Sequence, residues 1–237
     1  MSKIQAVIFD YYGTLVDIET DEGKREIYEN LSRYLQYYGA DISTENLRFT
    51  LDAEKERYLK TAHEHNPEID FEVVFNNVLM KEGLNNPFLV ESCCKLFRLL
   101  SRKRLEPFSD SLPVLSEMKR KGYPLAIVSN AQKVFSLDEI RMTGMDRFFD
   151  HVLLSTQFGF AKPDPRLFSI ACALLGTLPA NTVYIGDNAE KDIIGPKEIG
   201  MQMILLERNR KEGNLKVNPD YRAGELWQAW GWIKSIG

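Results

Sequence analysis

No apolar run in this 237-residue chain approaches the length of a membrane span. Uninterrupted stretches such as Ala6 to Phe9 end after a few residues, whereas a spanning helix needs about 20. The chain also lacks a block of like charges. Charged residues make up 27% with both signs interspersed, and the net charge is -4. A nucleic-acid binder would show a basic stripe, so no nucleic-acid partner is expected. Cysteine is scarce as well. Cys93, Cys94 and Cys172 form neither an even set nor a CxxC pair, which excludes a disulfide framework and a sulfur-rich metal site. All three fall in apolar helical patterns and read as buried thiols, so a reducing, cytoplasmic setting is expected. The N-terminal Met-Ser-Lys passes directly into a strand-like run without the apolar region of a secretory signal.

What is present suits a buried core. The chain is 44% hydrophobic and long enough for one large domain, or for a core and a smaller partner. Ile4 to Phe9 reads as a buried strand that ends at Asp10 and a loop at Gly13. From about Asp21 to Arg104 the apolar spacing becomes helical. Ile27, Leu31, Tyr34, Leu35 and Tyr38 form one stripe, and Leu47, Leu51 and Tyr58 a second of weaker spacing. Phe71, Val74, Phe75, Val78 and Leu79 form a third, and Leu89, Cys93, Leu96, Phe97 and Leu100 a fourth. This stretch predicts four helices and no strand.

After Pro107, strands and helices alternate. Helices are predicted over 111–121, 131–142, 165–175 and 189–199, and strands over 125–128, 151–154, 182–185 and 201–206. Asp164 and Pro165 are suited to the N-cap and first turn of their helix. Such alternation implies an α/β fold, with a Rossmann-like parallel sheet between layers of helices. The tail is predicted to return as a final helix whose Trp227, Trp230 and Trp232 fill the core. The expected division is an α/β core of residues 1–16 and 105–237, with a helical cap of 17–104 inserted after the first strand. Ligands of open α/β sheets bind beyond the carboxyl ends of the strands, where such an insert would form a lid.

Four strand ends deliver polar residues. They are Asp10 in Phe9-Asp10-Tyr11-Tyr12-Gly13-Thr14-Leu15, then Ser129-Asn130, then Lys162, and finally Gly186-Asp187-Asn188 with Asp192 five residues after Asp187. Asp10 and Asp187 at neighbouring strand ends would bring like charges together, which demands a cation or a proton. Carboxylates with a backbone carbonyl suit Mg²⁺. Taken singly, each residue has an ordinary explanation. Asp before Gly forms turns, Ser-Asn caps helices, a lysine is usually solvated, and an acid favours a helix's first turn. His63, His65 and His151 show no ligand-like spacing.

In order and spacing the four segments together resemble the motifs of the haloacid dehalogenase (HAD) superfamily, across essentially the whole chain. The helical insert stands where that family carries its C1-type cap. The resemblance implies a hydrolase acting on a small molecule through an aspartyl intermediate. Asp10 would be the nucleophile. Asp10, Asp187 and the carbonyl of Tyr12 would hold Mg²⁺, with Asp192 nearby. Lys162 would neutralise charge, Ser129 and Asn130 would contact the transferring group, and the N–H groups near Gly13 and Thr14 would form an anion nest.

One position departs from the phosphatase pattern. HAD phosphatases usually carry a second Asp two residues after the nucleophile, where this chain has Tyr12. Asp-x-Tyr-Gly-Thr-Leu resembles the L-2-haloacid dehalogenases, which use no metal. Those enzymes lack an acid at the Asp187 position and carry an arginine early in the cap, where Tyr38-Gly39-Ala40-Asp41 has none and Arg48 is the nearest. A Mg²⁺-dependent phosphohydrolase acting on a small phosphorylated metabolite is therefore favoured. A metal-independent dehalogenase is the alternative, and a weakly catalytic HAD-like binding protein is a further one. Tyr12 could donate a proton to the leaving group, although a group of pKa near 10 is a poor base at neutral pH. A monomer or homodimer is expected.

Overall fold

The computed structural model describes residues 3–208 and 217–236. Residues 1–2, 209–216 and 237 of the expected core lie outside the described residues. Strand β1 (Ala6–Phe9) is central in a parallel sheet with β4 (Leu125–Ser129), β5 (His151–Leu154), β6 (Thr182–Gly186), β7 (Gln202–Leu206) and β8 (Tyr221–Ala223). Among the described residues the order is β5-β4-β1-β6-β7-β8. Ile8 pairs with Ala126 on one side and Tyr184 on the other, so the ends of β1, β4 and β6 come together.

Alternation along the strands fills two layers. Val7, Phe9, Ile127, Val183 and Ile185 face α5 (Ser111–Arg120) and α10 (Leu226–Ile236), packing with Leu115, Met118, Trp230 and Ile233. Ile8, Ala126, Val128, Tyr184 and Met203 face α7 (Pro165–Leu174), packing with Leu167, Phe168 and Ala171. Asp164 caps α7 by accepting from Arg166 N, and Pro165 occupies its first turn. Helix α6 (Lys133–Met142) follows β4. The arrangement is a parallel-sheet α/β fold of the Rossmann-like type.

Between β1 and β4, α1 (Arg25–Tyr37), α2 (Thr44–Thr61), α3 (Phe71–Lys81) and α4 (Pro87–Ser101) build a second apolar cluster. Leu31, Leu35, Leu47, Phe75, Leu79, Cys93 and Phe97 lie at its centre. Cys93, Cys94 and Cys172 are buried free thiols. Among the described residues no helix is long and apolar enough to cross a membrane.

The structure corrects several sequence expectations. The stretch expected to hold helices alone is bounded by a two-stranded antiparallel ribbon, β2 (Val16–Thr20) and β3 (Arg102–Pro107), with Ile18 opposite Leu105. It straddles both expected domain boundaries. The strand β8 was also not predicted. The single helix expected over 189–199 is two short ones, α8 (Ala189–Asp192) and α9 (Ile194–Glu198). Pro196 has no N–H to offer the carbonyl of Asp192 four residues earlier, so the helix breaks there. Of the three tryptophans, Trp230 is buried and Trp232 stacks on Tyr221, but Trp227 is 44% exposed.

The second cluster depends heavily on Phe97, whose ring packs edge-on against Tyr28, Phe71 and Phe75. Phe97→Ala should destabilise the helical unit by about 3–5 kcal/mol. Urea unfolding followed by circular dichroism checks this. An unchanged midpoint would show that the unit does not rest on this packing.

Candidate active site

The junction of β1, β4 and β6 sets out the site. Asp10 follows β1, Ser129 ends β4, and Gly186-Asp187 ends and follows β6. Lys162 arrives on the loop after β5 and is anchored by Asn130. The Asn130 side chain accepts from Lys162 N at 2.7 Å and donates to Lys162 O at 3.1 Å. Asn130, expected to contact substrate, lines the cavity and also holds the Lys162 backbone with its amide.

Lys162 is 4% exposed, which buries its ammonium. It lies 2.9 Å from Asp10 Oδ1 and 2.6 Å from Asp192 Oδ1, and it donates to the Tyr184 hydroxyl at 2.8 Å. Burial alone would lower its pKa, but the two carboxylates outweigh burial and raise it. Asp192 is fully occupied. Its Oδ1 accepts from Lys162 and Tyr184, and its Oδ2 accepts from Asn188 N at 2.9 Å. Burial raises the Asp192 pKa despite the opposing pull of Lys162. Asp10 Oδ1 has an ion-pair neighbour in Lys162 but no well-directed hydrogen bond.

Asp187 completes the acidic group. One oxygen from each of Asp10, Asp187 and Asp192 lies within 4.8 Å of the others. Thr14 Oγ1 donates to Asp187 Oδ1 at 3.1 Å. Gly13 passes directly beside Asp187, and a Cβ at Gly13 would sit 2.4 Å from Asp187 Oδ2. Its φ of +84° is also one that other residues rarely adopt. Burial pushes the Asp187 pKa up to about 7, reinforced by Asp10 and Asp192, while Thr14 and Lys162 oppose the rise. The convergence of hard oxygen donors, an under-bonded Asp10 oxygen and a destabilised Asp187 fits a small divalent cation. Asp10 and Asp187 would hold it, with Asp192 behind them.

A cavity of about 180 Å³ opens on these groups. Asp10, Tyr12, Ser129, Asn130, Lys162, Asp187, Asn188, Lys191 and Asp192 line it. A neighbouring cavity of about 420 Å³ shares Tyr12 and Asp187 and extends along Gly13, Asp17, Arg104, Phe108 and Arg208. The helical insert is seated over the same end of the sheet. Glu68 N donates to Gly159 O and Ala161 N donates to Asn66 O, just ahead of Lys162. Gln132, two residues after Asn130, bonds Ile69 O and Phe71 N.

Tyr12 borders the cavity, but its hydroxyl points elsewhere. It lies 2.5 Å from Glu139 Oε2 and 2.8 Å from Ser136 Oγ. Burial, reinforced by the Glu139 charge, pushes its pKa well above the ordinary tyrosine value. The proton that Tyr12 could offer a leaving group is directed at Glu139. Arg48, the nearest arginine to the early cap segment, is exposed and lies over the Tyr28 ring.

The sequence reading missed Tyr184 and Lys191. Tyr184 had a signal, being the one aromatic hydroxyl in its buried strand, two residues before Gly186. Lys191 looked like any first-turn lysine.

A model of haloacid dehalogenase-like hydrolases matches residues 4–200, and the chain belongs to that family. It is an enzyme of the HAD-like hydrolase class. It is 27% identical to a glyceraldehyde 3-phosphate phosphatase of Methanopyrus kandleri, over 92% of this chain and 90% of that one. It is 30% identical to a phosphoserine phosphatase of Thermus thermophilus, over 53% of this chain and half of that relative's length. Among solved structures, a 2-haloacid dehalogenase from Pseudomonas syringae superposes with a TM-score of 0.73. That match has 22% identity and covers 99% of this chain and 100% of the other, which shows a common fold.

The charge balance gives a pH-dependent expectation. With Asp187 near 7 in the folded protein and about 3.9 when unfolded, folding takes up a proton between those values. The metal-free protein therefore loses stability as pH rises through that window. Asp187→Asn should raise the melting temperature of the metal-free protein at pH 8, and the gain should fade toward pH 4. Equal melting temperatures across that range would show that Asp187 carries no such strain.

Proposed function

We propose that this chain is a Mg²⁺-dependent phosphohydrolase acting on a small phosphorylated metabolite, with Asp10 as nucleophile. The observation that carries this reading is a surplus of acid, two buried carboxylates and a third, partly buried one. Asp10 and Asp192 share the buried Lys162 ammonium, and Asp187 lies close to both carboxylates with no cation of its own among the described residues. A site built for an uncharged reacting centre has no use for Asp187, whose ionisation is costly there. The phosphatase names among the sequence relatives point the same way.

In this reading an Asp10 carboxylate oxygen attacks phosphorus and the bond to the leaving oxygen breaks. Lys162 stays within 2.9 Å of Asp10, balancing negative charge and fixing the carboxylate's direction. Ser129 donates to a phosphoryl oxygen, and the Thr14 N–H serves the same group, whereas the Gly13 N–H expected beside it is taken by Val16 O at 2.8 Å. The bound cation supplies charge stabilisation for the phosphoryl oxygens. Water then attacks phosphorus in the aspartyl phosphate and restores the Asp10 carboxylate. With Tyr12 held by Glu139, departure depends on the leaving group's own stability as an anion. This favours acyl and aryl phosphates over simple alkyl esters.

The Asp-x-Tyr first motif favours the dehalogenase alternative, as does a 2-haloacid dehalogenase among the sequence relatives. A screen of aryl, acyl and alkyl phosphates beside 2-haloacids, with Mg²⁺ and with EDTA, separates the two. Phosphate release should require Mg²⁺ and be fastest with acyl or aryl phosphates, and Asp10→Asn should abolish it. EDTA-resistant halide release without any phosphate release would overturn the proposal.

A further inference from the structure

Outside the aspartate group, the densest set of buried charges surrounds Glu139, a core residue on α6 that is 2% exposed. Its Oε1 accepts from Arg98 Nε at 2.8 Å and from Arg102 Nη1 at 3.1 Å. Its Oε2 accepts from Arg98 Nη2 at 2.8 Å and from the Tyr12 hydroxyl at 2.5 Å. Its main-chain carbonyl accepts from the Tyr11 hydroxyl at 3.1 Å. Glu139 thus contacts both tyrosines that follow Asp10 in the chain, while Thr143 Oγ1 just after α6 and Ser136 Oγ on it lie 2.9 and 2.8 Å from the Tyr11 and Tyr12 hydroxyls. Arg98 belongs to α4, the last helix of the insert, one turn before the ribbon strand β3. Its guanidinium lies over the Tyr12 ring at 5.2 Å.

This geometry has a mechanical consequence. The paired arginine–carboxylate fork restricts the relative orientation of α4 and α6. Removing one member would leave the others charged and buried, so the set holds or fails as a unit. The loop from Asp10 to Val16 is short and folds back on itself through Leu15 N and Val16 N to Tyr11 O. Anchoring Tyr11 and Tyr12 therefore fixes the direction in which the loop leaves Asp10. The Asp10 carboxylate is otherwise held by its ion pair with Lys162, and its Oδ1 has no well-directed hydrogen bond.

We propose that Glu139 is a positioning residue for the Asp10 reaction. It fixes the Tyr11–Tyr12 loop and, through Arg98, makes the loop's working conformation depend on the seated helical insert. The proposal rests on Asp10 being the nucleophile, and it holds for either leaving-group chemistry.

The test is a double-mutant cycle in the full chain, with Glu139→Gln, Tyr12→Phe and both together. Turnover of p-nitrophenyl phosphate with Mg²⁺ and halide release from 2-chloropropionate are measured in parallel. Amide hydrogen exchange over residues 11–16 gives a readout independent of either activity. Each single variant should lower kcat about tenfold with little change in KM, and the double variant should lose no more than the worse single one. Exchange at residues 11–16 should quicken in Glu139→Gln and in Arg98→Lys, while β7 remains protected. Losses that multiply in the double variant would overturn the proposal, as would faster exchange confined to α4 and α6. If Glu139→Gln does not fold, Arg98→Lys and Tyr12→Phe decide by the same exchange measurement. If the wild type shows no phosphate release, the phosphatase reading fails, and halide release and exchange still decide the role of Glu139.

Discussion

A buried ammonium between two carboxylates is the constraint on which the rest of this structure depends. Lys162 is removed from water, and an unpaired charge there would be untenable. Asp10 and Asp192 supply its counter-charge at 2.9 and 2.6 Å. Each partner in turn requires a particular piece of the fold. Asp10 needs the end of β1, Asp192 needs the short helix after β6, and Lys162 needs a loop held by Asn130 at the end of β4. The order β4-β1-β6 brings those pieces together. Two carboxylates on one ammonium leave a negative balance, and Asp187 deepens it. The site is thus short of positive charge by construction, a condition that suits a cation and a phosphate bound together.

The tyrosines after Asp10 obey a different constraint. Tyr12 takes the position at which a carboxylic acid would face the leaving group, yet its hydroxyl is bound to Glu139. The same side chain that withholds a proton from the cavity ties the loop after Asp10 to α6, and through Arg98 to α4. Chemistry and domain contact therefore share one buried network. The contacts of residues 66–71 with Gln132, Gly159 and Ala161 form a second seat for the insert, beside the loops that carry Ser129 and Lys162.

Much of this was legible in the sequence because it is local. The run into Asp10, the Ser-Asn and Gly-Asp pairs at strand ends, and the helical stripes of the insert each follow from periodicity and turn chemistry within a few residues. The ribbon β2–β3 was not legible. Val16–Thr20 and Arg102–Pro107 are short and rich in charge, and they pair across more than eighty intervening residues. The break at Ile193 required weighing Pro196 against an otherwise good helical pattern. Trp227 and Trp230 look equivalent in sequence, and only the rotation of α10 exposes the first and buries the second. Least legible was the role of Tyr12. Its partners Glu139 and Arg98 lie 127 residues and more than eighty residues away, and neither position carries a motif.

The central claim is that Asp10 attacks and carries the transferred group. Incubation with Mg²⁺ and acetyl phosphate, acid quenching, and mass spectrometry of the proteolysed chain address it directly. The account predicts one added phosphoryl group, on the peptide that contains Asp10, with the modification localised to that residue. A phosphoryl group on any other residue, or phosphate release that never passes through a modified Asp10, would contradict it.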